Sequence, residues 1–148
     1  MVEKETITNI LITEHGRLRE LLARFVRAID RDKEETMAAY NLFKDKEKKH
    51  VFIEENKIFN FDKSLKIPII KKLILQHIEM GKMIEQINKN LKSDKDPTQI
   101  ALDLQDKLRS HTDLEEKEFY ALLDKQIIGT KKEKFIAEIK EQFGTDLG

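Results

Sequence analysis

Cysteine is absent from the 148 residues, which excludes disulfides, thiolate zinc sites, iron–sulfur clusters and thiol catalysis together. Proline and glycine are scarce, at two and five, and no segment alternates apolar and polar residues, so strands and tight hairpins have little to be made from. Net charge is lacking too. The 28 Lys and Arg balance the 28 Asp and Glu, which implies no strongly basic face and argues against nucleic acid as a partner. No apolar run approaches the roughly 18 residues that a membrane span needs. The segment Met1 to Thr6 carries acids with no apolar stretch behind it, so no leader and no membrane contact are expected. The protein is predicted to be soluble and cytoplasmic.

What is present is helical period. A hydrophobic content of 39% in a chain of this length suits one core, and a single domain over residues 1–148 is expected. Ile7, Leu11, His15, Leu18, Leu22, Phe25 and Ile29 recur at steps of three and four, the inward stripe of a helix over about 6–30. A second stripe, over about 34–60, runs Met37, Tyr40, Phe43, Glu47, His50, Glu54, Ile58. Pro68 opens a third helix with Ile70, Leu73, His77, Gly81, Ile84 and Leu91 inward. Asp96 and Pro97 form an N-cap and first turn for a fourth helix running to about Ile128, with Gly129 as a C-cap. Its stripe is Ala101, Leu104, Leu108, His111, Glu115, Glu118 and Leu122, with Phe119 alongside. Thr130 and Glu133 resemble a capping box for a short last helix over about 130–143. The chain therefore reads as all-α: an antiparallel up-and-down four-helix bundle with a short C-terminal fifth helix.

Within these stripes lies a repeat. The histidines number four, and they follow the pattern H, H-x3-E, H, H-x3-E. His77 lies 62 residues after His15, while His111 and Glu115 each lie 61 after His50 and Glu54. On a helix, residues four apart project from one face, so each His–Glu pair is a two-point metal ligand. Imidazole nitrogen and carboxylate oxygen together suit first-row metals such as iron, manganese or zinc, and a carboxylate can bridge two ions. With about three of seven helical positions inward, all four histidines would fall there by chance about 3% of the time. An unpartnered inward glutamate also carries a desolvation cost of several kcal/mol. The candidate metal ligands are thus His15, His50, Glu54, His77, His111 and Glu115, a set fit for a dinuclear site.

Glu47, three residues before His50, is an additional candidate. It would ligate a metal, hydrogen-bond a ligand histidine, or reach a lysine, unless it snorkels out between Lys46 and Lys48. Its counterpart in the second repeat is Leu108. Glu55 and Glu116 fall five residues after the histidines and off the shared face, so solvent is their expected environment. Gly81, one turn after His77, would leave room for a diatomic ligand.

His15, His50 in HVFIEENKIF, His77 and His111 in HTDLEEKEF together resemble the hemerythrin-like, or HHE cation-binding, family over roughly residues 10–125. The resemblance implies a four-helix bundle and a non-haem diiron centre of two iron ions (Fe2+/Fe3+) with an oxo or hydroxo bridge. In it His15, His50, His77 and His111 are terminal ligands, and Glu54 and Glu115 are bridges. Oxygen-carrying members have a further histidine where Leu73 stands and a bridging aspartate five residues after the last histidine. Here Glu115 is at four. The set is similar to the four-His, two-Glu branch, in which each iron keeps an open position for a small diatomic or peroxide ligand. The implied function is binding or sensing of O2 or a related oxidant. The alternatives are a redox enzyme consuming peroxide, superoxide or nitric oxide, and an iron donor or store; the cysteine-bearing N-terminal segment of the family's repair proteins does not occur in this sequence.

Overall fold

A computed structural model of the chain describes residues 5–61 and 67–144. Most of the leader reading, Met1 to Lys4, lies outside them. Every regular element among the described residues is helical: α1 (Ile7–Ala28), α2 (Lys33–Ile53), α3 (Ile69–Lys92), α4 (Thr98–Leu114), α5 (Ala121–Gln126) and α6 (Gly129–Phe143). Two π-helical turns, Glu54–Ile58 and Glu115–Tyr120, extend α2 and join α4 to α5 without a break in helical backbone. None of the described helices is long and apolar enough to cross a membrane.

The ends follow local chemistry. Thr6 accepts a hydrogen bond from the Asn9 N–H at 3.0 Å and starts α1, and Asp32 does the same for Glu35 at 2.8 Å in α2. Asp96 accepts from the Thr98 N–H at 2.9 Å as α4 begins, and Pro68 immediately precedes α3. Gly129 departs from expectation. Its φ of +65° places it at the start of α6 and not as the cap of the preceding helix, and no side chain caps that start, so the Thr130–Glu133 box does not form. A φ in this range is open to glycine at little steric penalty, which allows the reversal between Ile127 and α6. Asp124 ties the two ends together, accepting from the Ile7 N–H at 2.9 Å, the Thr8 N–H at 3.1 Å and Lys132 at 3.0 Å.

Helix α1 packs on α2, α4 and α5, and α3 packs on α4 and α2, so the long helices neighbour one another around a common interior; α6 lies against α2. That interior holds two apolar clusters. Leu18, Leu22, Phe25, Tyr40, Phe43, Met80, Ile87, Leu104 and Leu108 fill one. Ile7, Leu11, Ile53, Phe59, Leu73, Phe119, Tyr120, Leu123 and α6's Phe135, Ile139 and Phe143 fill the other. Each fully buried aromatic or aliphatic side chain contributes about 1.5–3 kcal/mol. The four histidines and two glutamates of the sequence repeat are buried as well, every one at 5% exposure or less.

The π-turns move the inward stripe. In the first, the Phe59 N–H donates to the Glu54 carbonyl five residues back at 2.8 Å, so each such turn absorbs one residue more than an α turn. After Glu115 the buried positions are therefore Phe119, Tyr120 and Leu123, whereas Glu118 is exposed and Leu122 only partly covered. The uninterrupted spacing that put Glu118 and Leu122 inward does not hold beyond the turn. In α3 it is Met80, not Gly81, that enters the core.

Candidate metal centre

Each helix of the repeat delivers its histidine because three- and four-residue spacing continues the apolar stripe, and the paired glutamates follow one turn later at the head of each π-turn. The six side chains converge into two overlapping groups. His15, His50, Glu54 and Glu115 form one, and Glu54, His77, His111 and Glu115 form the other; within each group the offered atoms lie within 4.8 Å of one another. Both glutamates belong to both groups. His15 Nε2 and His111 Nε2 stand 3.3 and 3.2 Å from Glu115 Oε1, and His77 Nε2 and His50 Nε2 stand 3.0 and 3.4 Å from the two Glu54 oxygens.

The outer nitrogens fix the inner ones. His15 Nδ1 donates to Glu116 Oε2 at 2.7 Å, His77 Nδ1 to Glu55 Oε2 at 2.6 Å, and His111 Nδ1 to Gln76 Oε1 at 2.6 Å. Each acceptor lacks a proton to give, so the ring proton sits on Nδ1 and the lone pair on Nε2 faces inward. His77 Nε2 and His111 Nε2 meet at 3.1 Å, where two neutral rings would set lone pair against lone pair and a proton or cation on one of them removes the clash. Of the buried side-chain atoms without a hydrogen-bond partner among the described residues, five belong to this cluster: both His50 nitrogens, Glu54 Oε1 and both Glu115 oxygens. His50 keeps at least one ring N–H and Tyr120 donates to Glu54, yet the carboxylate oxygens and imidazole lone pairs turned inward outnumber these donors. Such a surplus is reconciled by cations, and nitrogen and oxygen ligands in this mixture suit iron, manganese or zinc.

The electrostatics agree. Burial opposes ionisation of both glutamates; the close polar approach of Glu115, His50 and His77 holds the Glu54 carboxyl well below the usual range, while burial and the charge of Glu54 push Glu115 well above it. Two carboxylates this close do not both ionise without compensating positive charge. Burial drives His111 down to about 3, and it would depress His77 as well were it not for the Glu54 and Glu55 carboxylates, which lift it to about 8.

Glu55 and Glu116 are not the solvated residues expected from their spacing. They are indeed turned off the face of the preceding histidine, but that flank faces a neighbouring helix, where each reaches the histidine of another repeat unit. Three more residues had no clear signal in the sequence. Gln76 is marked only by standing next to His77, and Tyr120 is brought inward by the π-turn, its hydroxyl donating to Glu54 Oε2 and lying 3.2 Å from His15 Nε2. Glu14, 1% exposed, precedes His15 as Gln76 precedes His77. Its Oε1 holds Lys46 at 3.1 Å, while its Oε2 has no partner among the described residues. Glu47 is 4% exposed and belongs to neither ligand group; its Oε2 is unpartnered, and burial pushes its carboxyl up to about 7. It does not snorkel.

Neither a search of curated proteins nor a search of solved structures returns a match. The sequence model of the Hemerythrin HHE cation binding domain matches residues 6–123, which takes in all four histidines, both shared glutamates and both π-turns. On that match, and with a buried histidine–glutamate cluster suited to a metal, the chain belongs to the hemerythrin HHE cation-binding family.

Proposed function

We propose that the chain holds two iron ions in a carboxylate-bridged pair and binds O2 or a related small oxidant there. His15 and His50 would hold one ion, His77 and His111 the other, with Glu54 and Glu115 shared, as in the four-His, two-Glu branch of the family. The observation that carries this reading is the sharing itself: two four-residue ligand groups with both glutamates in common. The ring of helix contacts around the cluster supports reading the four long helices as an antiparallel up-and-down bundle that forms a single domain. An iron pair supplies two adjacent redox-active centres with positions left open for a small molecule. The protein's share is then positional. Glu55, Glu116 and Gln76 orient three imidazoles, the apolar clusters on either side exclude water, and Tyr120 holds a proton between Glu54 and His15.

The second reading, consumption of peroxide, superoxide or nitric oxide, is favoured by one feature. A phenol and a high-pKa carboxyl, Tyr120 and Glu47, lie at or near the cluster as proton sources for reduction. Stopped-flow mixing of the reduced, iron-loaded protein with O2, H2O2 and NO separates the readings. Reversible binding predicts a stable O2 adduct that decays on deoxygenation. Multiple turnovers of H2O2 or NO without such an adduct would replace that reading with the enzymatic one.

A further inference from the structure

The repeat is not carried through to the second layer of residues. Shifted by 61, Tyr120 corresponds to Phe59 and Leu108 to Glu47. The Tyr120 hydroxyl fills the side of the cluster next to His15, and Phe143 from α6 lies over the His50 ring, with centroids 5.6 Å apart and planes 28° apart. On the other side Phe59 stacks on His77 at 5.9 Å and 9° without a hydroxyl to offer. There, between α2 and α3, a cleft of about 250 Å³ is lined by Lys44, Glu47, Val51, His77, Gly81 and Ile84. Two other cavities, on either side of Gly16, touch none of the six repeat ligands.

Resting on the iron-pair reading, we infer that this cleft is the route to the metal centre. A small linear molecule, neutral or singly anionic, arrives on the His77/His111 side, and Glu47 is the residue that positions it. The size fits, since a water takes about 30 Å³ of liquid and the cleft holds several times that. The wall is mainly apolar, and its two lysines, Lys44 and Lys48, are matched by Glu47 and Glu85, so no formal excess of charge bars a neutral or singly charged guest. Glu47 and His77 are the buried polar side chains of the wall, and of the two Glu47 has a side-chain atom, Oε2, without a protein partner among the described residues. Gly81 keeps the passage wide. A Cβ there would meet nothing within 4 Å, and the position is exposed, so larger side chains can be added on the helix without a clash.

The test uses azide binding to the oxidised, iron-loaded protein, followed by stopped-flow absorbance, with iron content measured on the same samples. Gly81→Phe should slow association by about tenfold or more and slow dissociation in step, because a narrowed passage obstructs both directions and leaves affinity within about twofold. Gly16→Phe, beside the two remote cavities, should change neither rate. Glu47→Leu should leave association near the parent value and speed dissociation by about fivefold, while Glu47→Gln, which keeps a hydrogen-bonding group, stays close to the parent. A Gly81→Phe protein with normal iron that binds azide at the parent rate would overturn the route. An unchanged dissociation rate in Glu47→Leu would overturn the positioning role. Should Gly81→Phe lose iron, Gly81→Leu makes the same test with a smaller group. Parent protein without two irons would instead refute the functional reading beneath, a failure the iron analysis identifies separately.

Discussion

Removing Glu116 isolates the part played by the carboxylates outside the ligand set. Its Oε2 accepts the His15 Nδ1 proton at 2.7 Å with the side chain only 18% exposed, a charge-assisted bond at a largely dry position. Such bonds contribute about 1.5–3 kcal/mol, and loss of an outer partner of a ligand histidine lowers metal affinity by about 10–100-fold. Arg19, 3.8 Å from Glu116, keeps Asp113 at 3.2 Å and Thr112 as partners, so its loss of a neighbour adds little. Glu116→Ala should therefore weaken binding on the His15 side by about 2 kcal/mol, about 30-fold. The corresponding Glu55→Ala, at a side chain 34% exposed, should lose less. There water takes over part of the acceptor's role, and about 1 kcal/mol or fivefold is expected. Glu116→Gln keeps an acceptor of the kind that Gln76 already provides to His111 and should fall between parent and alanine variant. The assay is competition for Co(II) or Fe(II) against a chromophoric chelator, with circular dichroism to show that helicity is retained. Affinities within twofold of the parent for both alanine variants would mean that packing alone orients the imidazoles, and the reasoning would fail.

Glu54→Ala and Glu115→Ala should each abolish the paired centre while the protein remains helical, since both groups lose a shared ligand at once; iron analysis returning two ions would contradict this. The repeat places Glu14 where Gln76 stands, so Glu14→Ala and Gln76→Ala should each lower metal affinity by about tenfold, measured by the same competition, and no change in the first would leave Glu14 a partner of Lys46 only. Asp124→Asn should reduce urea stability by about 1–2 kcal/mol. Burial raises the Asp124 carboxyl, but hydrogen bonds from Thr8, the Ile7 and Thr8 N–H groups and Lys132 outweigh it and hold the value below 3.8. A depressed folded value means that its contribution is present above 3.8 and lost as pH falls toward the folded value, so the gap between parent and variant should close in acid. A gap that is constant from pH 7 to pH 3 would rule that origin out.

The helices and the ligand candidates were legible because one signal served both: His15, His50, His77 and His111 occupy positions where the stripe asks for apolar residues, and a matched repeat at 61 or 62 residues is hard to produce otherwise. The family was legible from the same residues. What spacing could not supply was the π-turn, since a wide turn is a property of backbone bonding with no fixed residue signature. That single gap misplaced Glu118 and Leu122 and hid Tyr120. Glu55 and Glu116 failed for another reason: a helix in a group of helices has flanks as well as an inner and an outer face, and a sequence does not say what the flank meets. Glu14 carries no periodic signal of its own, since His15 beside it already fills the stripe, as His77 does beside Gln76. Glu47 was readable as unusual, and its burial removes the surface alternative, but its place at a cleft and not in the ligand set depends on how α3 packs.

The central claim is that Glu54 and Glu115 are shared between two metal positions. Mössbauer spectroscopy of the iron-reconstituted protein, with elemental analysis of the same sample, tests it most directly. The account predicts about two irons per chain, magnetically coupled in the oxidised state, because six nitrogen and oxygen donors in two overlapping groups suit two bridged ions better than one. A single uncoupled iron, or one tightly held zinc, per fully folded chain would contradict it.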